Sequence, residues 1–184
     1  MPLCLTLGNH DSRAAFLAEF CPHHAPAGQP VDKSIVVVDQ GPVRCILLDS
    51  LFRADVVAGL LGKAQRRWLR QLLEASDERT TLIAVHHPPE EEDDSLLDGD
   101  LLLRLIEPFP NVKAILSAHG HAYRIESRGD LYMVSLPALG MAFDEREPLG
   151  WIEACLSASR GVLKFHAVGE NQTGDGAATT LRWR

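Results

Sequence analysis

The sequence predicts an α/β domain, and three observations support this prediction. Strand-like and helix-like segments alternate through the first two thirds of the chain, as in βαβ units. Short strand-like segments joined by tight turns follow. The length of 184 residues suits one domain, and 46% hydrophobic with 23% charged residues suits a globular protein with a sizeable core. We expect one domain over residues 1–168, followed by a flexible tail over 169–184 that is rich in Gly, Thr and Ala.

The first quarter of the chain predicts one helix and one hairpin. Residues 3–7 form a short apolar run that we expect to be a strand. A helix is predicted over 12–20, and Asp11 is suited to cap its first turn. Residues 34–39 and 43–48 flank a Gln-Gly-Pro turn, which predicts a β-hairpin.

The rest of the chain predicts two more helices and six more strands. An amphipathic helix is expected over 63–76, because apolar residues recur on one of its faces. A β-rich run over 80–85, a short helix over 100–107 that prolines end, and a buried strand over 112–116 follow. The last four strands, which we expect to form an antiparallel meander, are 122–127, 131–136, 151–156 and 162–168.

Charge and cysteine content exclude several classes of protein. The formal net charge of −7, from 18 Lys and Arg against 25 Asp and Glu, argues against a nucleic-acid groove or an anionic membrane surface. Seven acidic residues lie within 90–100, and we interpret this stretch as a solvated loop. No run approaches the roughly 18 apolar residues of a membrane span, and the start lacks the features of a signal peptide. Three of the four separated cysteines adjoin apolar runs, which is typical of core residues in a reducing compartment, so a cytoplasmic protein is expected.

Five of the eight histidines lie directly after strand-like segments. They belong to three clusters: Gly8-Asn9-His10-Asp11, His86-His87-Pro88-Pro89 and His119-Gly120-His121. Because ligands bind beyond the carboxyl ends of the strands in α/β sheets, these side chains should converge on one rim. Neutral imidazole is a common ligand of Zn, Mn and Fe, so the clusters predict a metal site. A further pair, His23-His24, is bounded by prolines, and we interpret it as a surface loop.

In this order, the three clusters resemble the motifs of the calcineurin-like metallophosphoesterases. The His-His-Pro-Pro form and the helical segment 65–69 are most similar to the bacterial cyclic-nucleotide and glycerophosphodiester phosphodiesterases. The resemblance implies the C-terminal part of that family's two-sheet αββα sandwich, without the first βαβ units. It also implies a phosphodiesterase for small diesters such as 3',5'-cyclic nucleotides, with two Mn, Fe or Zn ions and a metal-bound hydroxide. Ala118 stands where the family usually has glycine.

The same resemblance assigns the metal ligands by position. Asn9, His86 and His119 would bind the second metal, and His121 would bind the first. His87 remains the alternative to its neighbour His86, either as the ligand or as a residue beside it.

Two further residues take catalytic roles by the same resemblance. His10 would stay off the metals, near the scissile phosphate, where it would stabilise developing charge or help protonate the leaving oxygen. Asp11 would hold one nitrogen of His10 and so fix its tautomer.

The family also opens with two strands that end in Asp-x-His and Gly-Asp, and no segment of this chain supplies them. We therefore expect a fragment or an internal Met taken as the start, so that the complete protein is the enzyme and the 184-residue chain alone is inactive, with an incomplete metal site. An exposed sheet edge would favour self-association, including a homodimer. The alternatives are a non-catalytic or partner-completed relative that binds at most one metal, and a structural zinc module. A bridging carboxylate within the chain could come only from Asp49 or the 90–100 loop.

Overall fold

The computed structural model describes residues 3–20, 27–75 and 77–183, so His23-His24 lies outside the described residues. Two helices pack on one face of a six-stranded sheet, and a three-stranded sheet packs on its other face. The layered α/β arrangement agrees with the fold class that the sequence predicts. Among the helices of the described segments, none has the length and apolar character needed to cross a bilayer.

The elements in chain order are α1 (Arg13–Phe20), β1 (Val36–Gln40), β2 (Val43–Leu47), α2 (Gly62–Glu74), β3 (Thr80–Val85), α3 (Gly99–Ile106), β4 (Val112–Ser117), β5 (Arg124–Arg128), β6 (Leu131–Ser135), β7 (Gly150–Leu156), β8 (Arg160–Ala167) and β9 (Ala178–Arg182).

The six-stranded sheet has the order β1-β2-β3-β4-β6-β5. Its four central strands are parallel, and the strands at its two edges are antiparallel to their neighbours. Leu47 lies opposite Ala84, and Ser117 lies opposite both Val85 and Ser135. The central strands therefore end almost level. We call this the carboxyl edge, formed by the residues that follow β2, β3, β4 and β6.

Alternation along the central strands divides the core between two faces. Ile46, Ile83 and Ile115 are fully buried on the helix face, where they join Trp68 and Leu69 of α2. The opposite face carries two smaller clusters, whose buried members are Val43, Leu82, Ala114, Val134, Leu163 and Leu181. Both faces of the sheet are thus covered, as a parallel sheet requires.

The start of α2 is held by a carboxylate from a distant loop. Asp98, only 5% exposed, accepts hydrogen bonds from the amides of Leu61 and Gly62 at 3.0 and 2.9 Å and pairs with Arg66. These amides have no partner within the helix, so Asp98 serves as a cap supplied from outside. The expected solvated loop is correct for residues 90–94, which are exposed, and wrong for Asp98.

Most of the predicted elements are confirmed, including the hairpin, all three helices and the strands at Thr80–Val85 and Val112–Ser117. The expected strand over residues 3–7 is wrong. Both edges of β2 are already paired, to β1 and β3, so this segment finds no open place beside it. Instead the Thr6 hydroxyl donates to the carbonyl of Leu48 at 2.8 Å, while Leu7 is fully buried. No side chain of α1 is buried.

The expected four-stranded meander is also wrong. β6 pairs in parallel with β4, so the β5–β6 hairpin extends the first sheet, and β7 and β8 belong to the second. Within the expected tail, Ala178–Arg182 forms β9, which pairs with β8 and buries Leu181. Among the cysteines that the structure describes, Cys4 and Cys45 are half-buried, and Cys45 packs against a buried cluster of the sheet. The expected core position is wrong for Cys155, which is exposed.

A buried carboxylate ties the start of the chain to the end of β2. Asp49 is fully buried and accepts hydrogen bonds from Arg13 Nε at 2.7 Å and from the amides of Ser34 and Leu51, both at 3.0 Å. The ammonium of Lys33 lies 3.8 Å away. Every lone-pair direction of the carboxylate is thus used within the protein, as burial of a charge demands.

The side chain of Gln65 supports the same turn from α2. It accepts from the amide of Asp49 at 3.0 Å and donates to the Asp49 carbonyl at 2.8 Å. Gln65 is 1% exposed, so this buried amide satisfies two main-chain groups that lie beyond the strand.

Replacing the buried carboxylate should be costly. We expect Asp49→Asn to lower the free energy of unfolding by about 3 kcal/mol or more, because Arg13 and Lys33 would lose their counter-charge in a buried setting. Urea denaturation followed by circular dichroism measures this change. Asp144→Asn is the matched control, since its pair with Arg146 is exposed and should leave the midpoint unchanged. Equal midpoints for the two variants would contradict the role given to Asp49.

Candidate metal centre

Three imidazoles meet at the carboxyl edge. His86 and His87 follow β3, His119 follows β4, and one ring nitrogen from each lies within 4.8 Å of the others. His86 Nε2 is 3.2 Å from His119 Nδ1 and also 3.2 Å from Asn9 Oδ1. The structure therefore brings together Asn9, His86 and His119, and it places His87 beside them.

These separations suit the ligands of one cation. Two ligand atoms on a tetrahedral zinc ion lie about 3.3 Å apart, because each is held at about 2.0–2.1 Å. Hydrogen bonding alone explains the arrangement less well. The Nε2 of a neutral His86 carries either one proton or one lone pair, so it can satisfy only one of its two neighbours fully. Nitrogen and oxygen lone pairs that converge in this way fit Zn, Mn or Fe.

Burial keeps these imidazoles neutral. Burial, followed by the proximity of His119, lowers the pKa of His86 to about 4. Burial and then the proximity of His86 lower the pKa of His87 to about 3. Burial also lowers the pKa of His119, and Asp94 acts in the opposite direction. At neutral pH the rings therefore retain the lone pairs that a metal needs.

The segment that carries Asn9 forms a closed turn. The amide of Gly8 donates to Asp11 Oδ2 at 2.7 Å, and the amide of Asp11 donates back to the Gly8 carbonyl at 3.3 Å. A Cβ on Gly8 would lie 3.1 Å from His86 Cε1, so glycine lets the turn approach the imidazole closely. Asp11 therefore closes this turn. The helix cap is instead Ser12, whose hydroxyl accepts from the amide of Ala15 at 3.4 Å.

A residue that the sequence did not single out contacts His10. Asp55 Oδ1 lies 3.0 Å from His10 Nδ1, and the Asp55 amide donates to the Asn9 carbonyl at 2.7 Å. The expected partner, Asp11, is committed to the turn described above. Asp55 has a φ of 60°, a conformation that aspartate tolerates better than most residues. Because a carboxylate only accepts, Nδ1 of His10 is the donor in this contact between two exposed side chains.

His121 occupies a different position from the other histidines. It is not part of the group of three imidazoles, and its Nδ1 is buried with no hydrogen-bond partner. Its ring stacks on Phe143, with centroids 4.2 Å apart and planes 3° from parallel. His119 and His121 both have positive φ, 66° and 54°. Such conformations cost energy in residues other than glycine and cluster at functional sites.

The ring of His87 packs against the rings of His86 and His119. It is fully buried, its Nδ1 lies 2.7 Å from the Ser50 hydroxyl, and its Nε2 lacks a hydrogen-bond partner. Its ring centroid is 4.8 Å from that of His86 and 4.9 Å from that of His119. A Cβ on Gly59 would lie 2.4 Å from both Cγ and Nδ1 of His87, so only glycine fits there.

The carboxylates that could join the metal centre differ in availability. Asp49 is enclosed by its own partners and cannot reach a cation. Asp94 is exposed and close enough to act on His119, so the acidic loop forms part of the rim. His166 is not part of this group of imidazoles. Its Nε2 lies 2.9 Å from Glu153 Oε2, and its ring stacks on Trp151.

The packing at Gly59 yields a prediction about stability. We expect Gly59→Ala to lower the free energy of unfolding by about 1–3 kcal/mol, because the added methyl group would overlap the His87 ring. Thermal denaturation measures the change. Gly140→Ala is the control, since a Cβ there would meet nothing within 4 Å. A Gly59→Ala protein as stable as this control would show that the His87 ring is not fixed.

Comparison with known proteins finds relatives in sequence and in fold. Glycerophosphodiester phosphodiesterase GpdQ of Enterobacter lignolyticus is 29% identical over 143 residues, which are 74% of this chain. The 3',5'-cyclic adenosine monophosphate phosphodiesterase CpdA of Pseudomonas aeruginosa is also 29% identical, over 148 residues and 77% of this chain. The matched region is 51% of each relative, so the chain spans about half the length of the curated relatives it matches.

Solved structures share the fold. A dimetal phosphatase from Danio rerio superimposes with a TM-score of 0.70 at 15% identity, over 96% of this chain and 71% of that one. Purple acid phosphatase PPD1 from yellow lupin superimposes with a TM-score of 0.57 at 14% identity, over 86% and 34%. The profile of the calcineurin-like phosphoesterases matches residues 1–123, which include all three histidine clusters. The chain therefore belongs to the calcineurin-like phosphoesterase family.

Proposed function

We propose that this chain carries half of the active site of a metal-dependent phosphodiesterase that hydrolyses small diesters, 3',5'-cyclic nucleotides among them. In this proposal Asn9, His86 and His119 hold one metal and His121 holds a second. The observation that carries the proposal is the convergence of Asn9 Oδ1 and His119 Nδ1 on His86 Nε2, each at 3.2 Å. His86 is preferred to His87 because both of these contacts are made by His86, whereas His87 Nδ1 is engaged by Ser50.

Divalent or trivalent ions bound there would polarise the phosphoryl group and lower the pKa of a water molecule. The chain's own residues would orient the diester. His10, with Nδ1 held by Asp55, is suited to stabilise charge on the phosphate or to deliver a proton from Nε2 to the leaving oxygen. Asp11 supports this role indirectly, because it closes the turn that positions both Asn9 and His10.

Charge around the site favours diesters over monoesters. The charge of Asp94 acts to raise the pKa of His119, and the pKa of Glu90 is raised by burial and then by Glu92 and other acidic neighbours. A phosphate monoester carries up to two negative charges near neutral pH, whereas a diester carries one, so an acidic rim repels the monoester more strongly. Both curated relatives named above are phosphodiesterases by name.

The bridging ligand must come from outside the described cluster. An imidazole nitrogen offers one lone pair, and the neutral amide of Asn9 is a poor substitute for a carboxylate between two cations. In the completed protein, defined as this chain preceded by a segment with Asp-x-His and Gly-Asp, those carboxylates would supply the bridge. The second candidate function, a one-metal or partner-completed relative without catalysis, is favoured by a donor cluster that lacks any carboxylate.

Turnover in the two forms of the protein tests the proposal. The completed protein can be made with the chain's own upstream coding sequence or with the corresponding half of a curated relative. It should hydrolyse cyclic AMP or bis(p-nitrophenyl) phosphate with Mn²⁺, whereas the 184-residue chain should not exceed background. Background rates in both forms would favour the one-metal alternative, and turnover by the chain alone would mean that one of its own carboxylates bridges the metals.

Ligand removal gives a second prediction. His86→Ala and His119→Ala should each reduce bound Zn²⁺ to well below one equivalent, as measured by equilibrium dialysis and metal analysis, and should abolish most diesterase activity of the completed protein. His166→Ala is the matched control and should retain metal. Full metal content in either of the first two variants would refute the ligand assignment.

His10→Ala should behave differently from the ligand variants. We expect metal content to be retained while kcat falls by roughly 10²-fold or more, the scale of losing acid–base catalysis or charge stabilisation. Steady-state kinetics and metal analysis on the same sample separate the two effects. Loss of the metals would instead make His10 a ligand.

A further inference from the structure

Three large apolar side chains stand exposed on the loop that follows β6. Leu139 is 63% exposed, Met141 58% and Phe143 70%, all within five residues. Single exposed apolar residues are ordinary, but a group of them beside a functional site marks a contact surface. We call Leu139, Met141 and Phe143 the apolar platform.

The platform adjoins the metal centre through one defined contact. The Phe143 ring lies parallel to that of His121, with 4.2 Å between centroids. Since Phe143 remains 70% exposed, the His121 contact leaves most of the phenyl ring open. A flat aromatic face is therefore held directly beside a residue assigned to the metal site.

The loop that carries the platform is anchored at both ends. The Leu136 amide donates to the Ser117 carbonyl at 2.7 Å, and the Gly150 amide donates to the Ala138 carbonyl at 2.9 Å. Glu147 forms an ion pair with Arg124 of β5. A surface fixed in this way loses little entropy when a ligand binds, which favours recognition.

From this arrangement we infer that the apolar platform, and Phe143 above all, stacks the nucleobase of the substrate; the inference rests on the proposed phosphodiesterase function. An aromatic face gains most from a planar ring, and every base offers one. A glycerol group offers neither a ring nor much apolar surface.

The charges of the loop support a neutral occupant. Asp144 pairs with Arg146 and Glu147 pairs with Arg124, so these ion pairs leave the loop beside Phe143 with little net charge to offer a charged group. A nucleobase is uncharged at neutral pH. Because a glycerol group is uncharged as well, the aromatic face of Phe143 is what favours nucleotide diesters over glycerophosphodiesters.

Binding to the Zn²⁺-loaded 184-residue chain tests this inference without requiring turnover. Isothermal titration calorimetry with cyclic AMP and with glycerophosphoethanolamine compares a diester that carries a base with one that does not. Phe143→Leu, which keeps apolar volume but removes the aromatic face, should weaken cyclic AMP binding by at least about fivefold and leave glycerophosphoethanolamine binding unchanged. Phe20→Leu, at an exposed phenylalanine of α1, is the matched control and should change neither.

Each other outcome is decisive. Equal weakening of both diesters would mean that Phe143 acts only by supporting His121. Unchanged binding of cyclic AMP would mean that Phe143 contacts no base. Either result would overturn the inference and leave the proposed function standing. If the wild-type chain bound neither diester, the same titration of the completed protein would decide the proposed function, and adenosine, which has no phosphate, would decide the inference on the chain itself. Saturation-transfer NMR signals of adenosine that disappear in Phe143→Leu but persist in Phe20→Leu would support the platform, and any other pattern would overturn it.

Discussion

The parallel register between β3 and β4 is the constraint on which the metal centre depends. Val85 and Ser117 lie opposite each other at the ends of these strands, so the two chains leave the sheet side by side. The Ala118 amide then donates to the His86 carbonyl at 2.9 Å and couples the two departing segments. Alanine in place of the family's usual glycine keeps this bond. A shift of one residue in either strand would send His86 or His119 to the wrong side of the sheet.

The structure separates its charges from its neutral donors. The buried carboxylates Asp49 and Asp98 are each neutralised by an arginine and by main-chain amides. Around the three imidazoles the pattern is opposite. Burial lowers the pKa of each ring, so the rings are neutral at neutral pH, and the acidic side chains of residues 90–94 are exposed. A cation held by uncharged ligands keeps its full positive charge. A cation bound there would attract anions strongly, and the acidic side chains around it would limit that attraction.

Local patterns in the sequence were sufficient for the helices, the hairpin and the three histidine clusters. Amphipathic spacing marks α2, and alternation of β-rich runs with helices places His86 and His119 on neighbouring parallel strands. What failed depended on pairing between distant segments. Residues 3–7 have the composition of a strand but no free neighbour. β6 joins β4 rather than β7, a choice that propensity does not encode.

Polar contacts at the site show the same division. Asn9 and His10 were found from a motif, but the contact between His10 and Asp55 joins residues 45 positions apart and needed coordinates. An aspartate in a loop gives no signal of its own. Phe143 was equally invisible, because an aromatic residue in a polar loop after β6 acquires meaning only from the ring on which it stacks. The positive φ values of His119 and His121 likewise follow from the fold.

Among the proposed metal ligands, Asn9 is the one that follows no strand. It stands between an unpaired segment and α1, a helix with no buried side chain, and its main chain is held to the 51–60 loop by the Asp55 amide. The three imidazoles, in contrast, follow the central strands β3 and β4. A cation that drew on Asn9 would therefore be thermodynamically linked to the order of residues 3–20. Its binding would stabilise this segment, and whatever loosened the segment would weaken the hold on the cation by the same free energy.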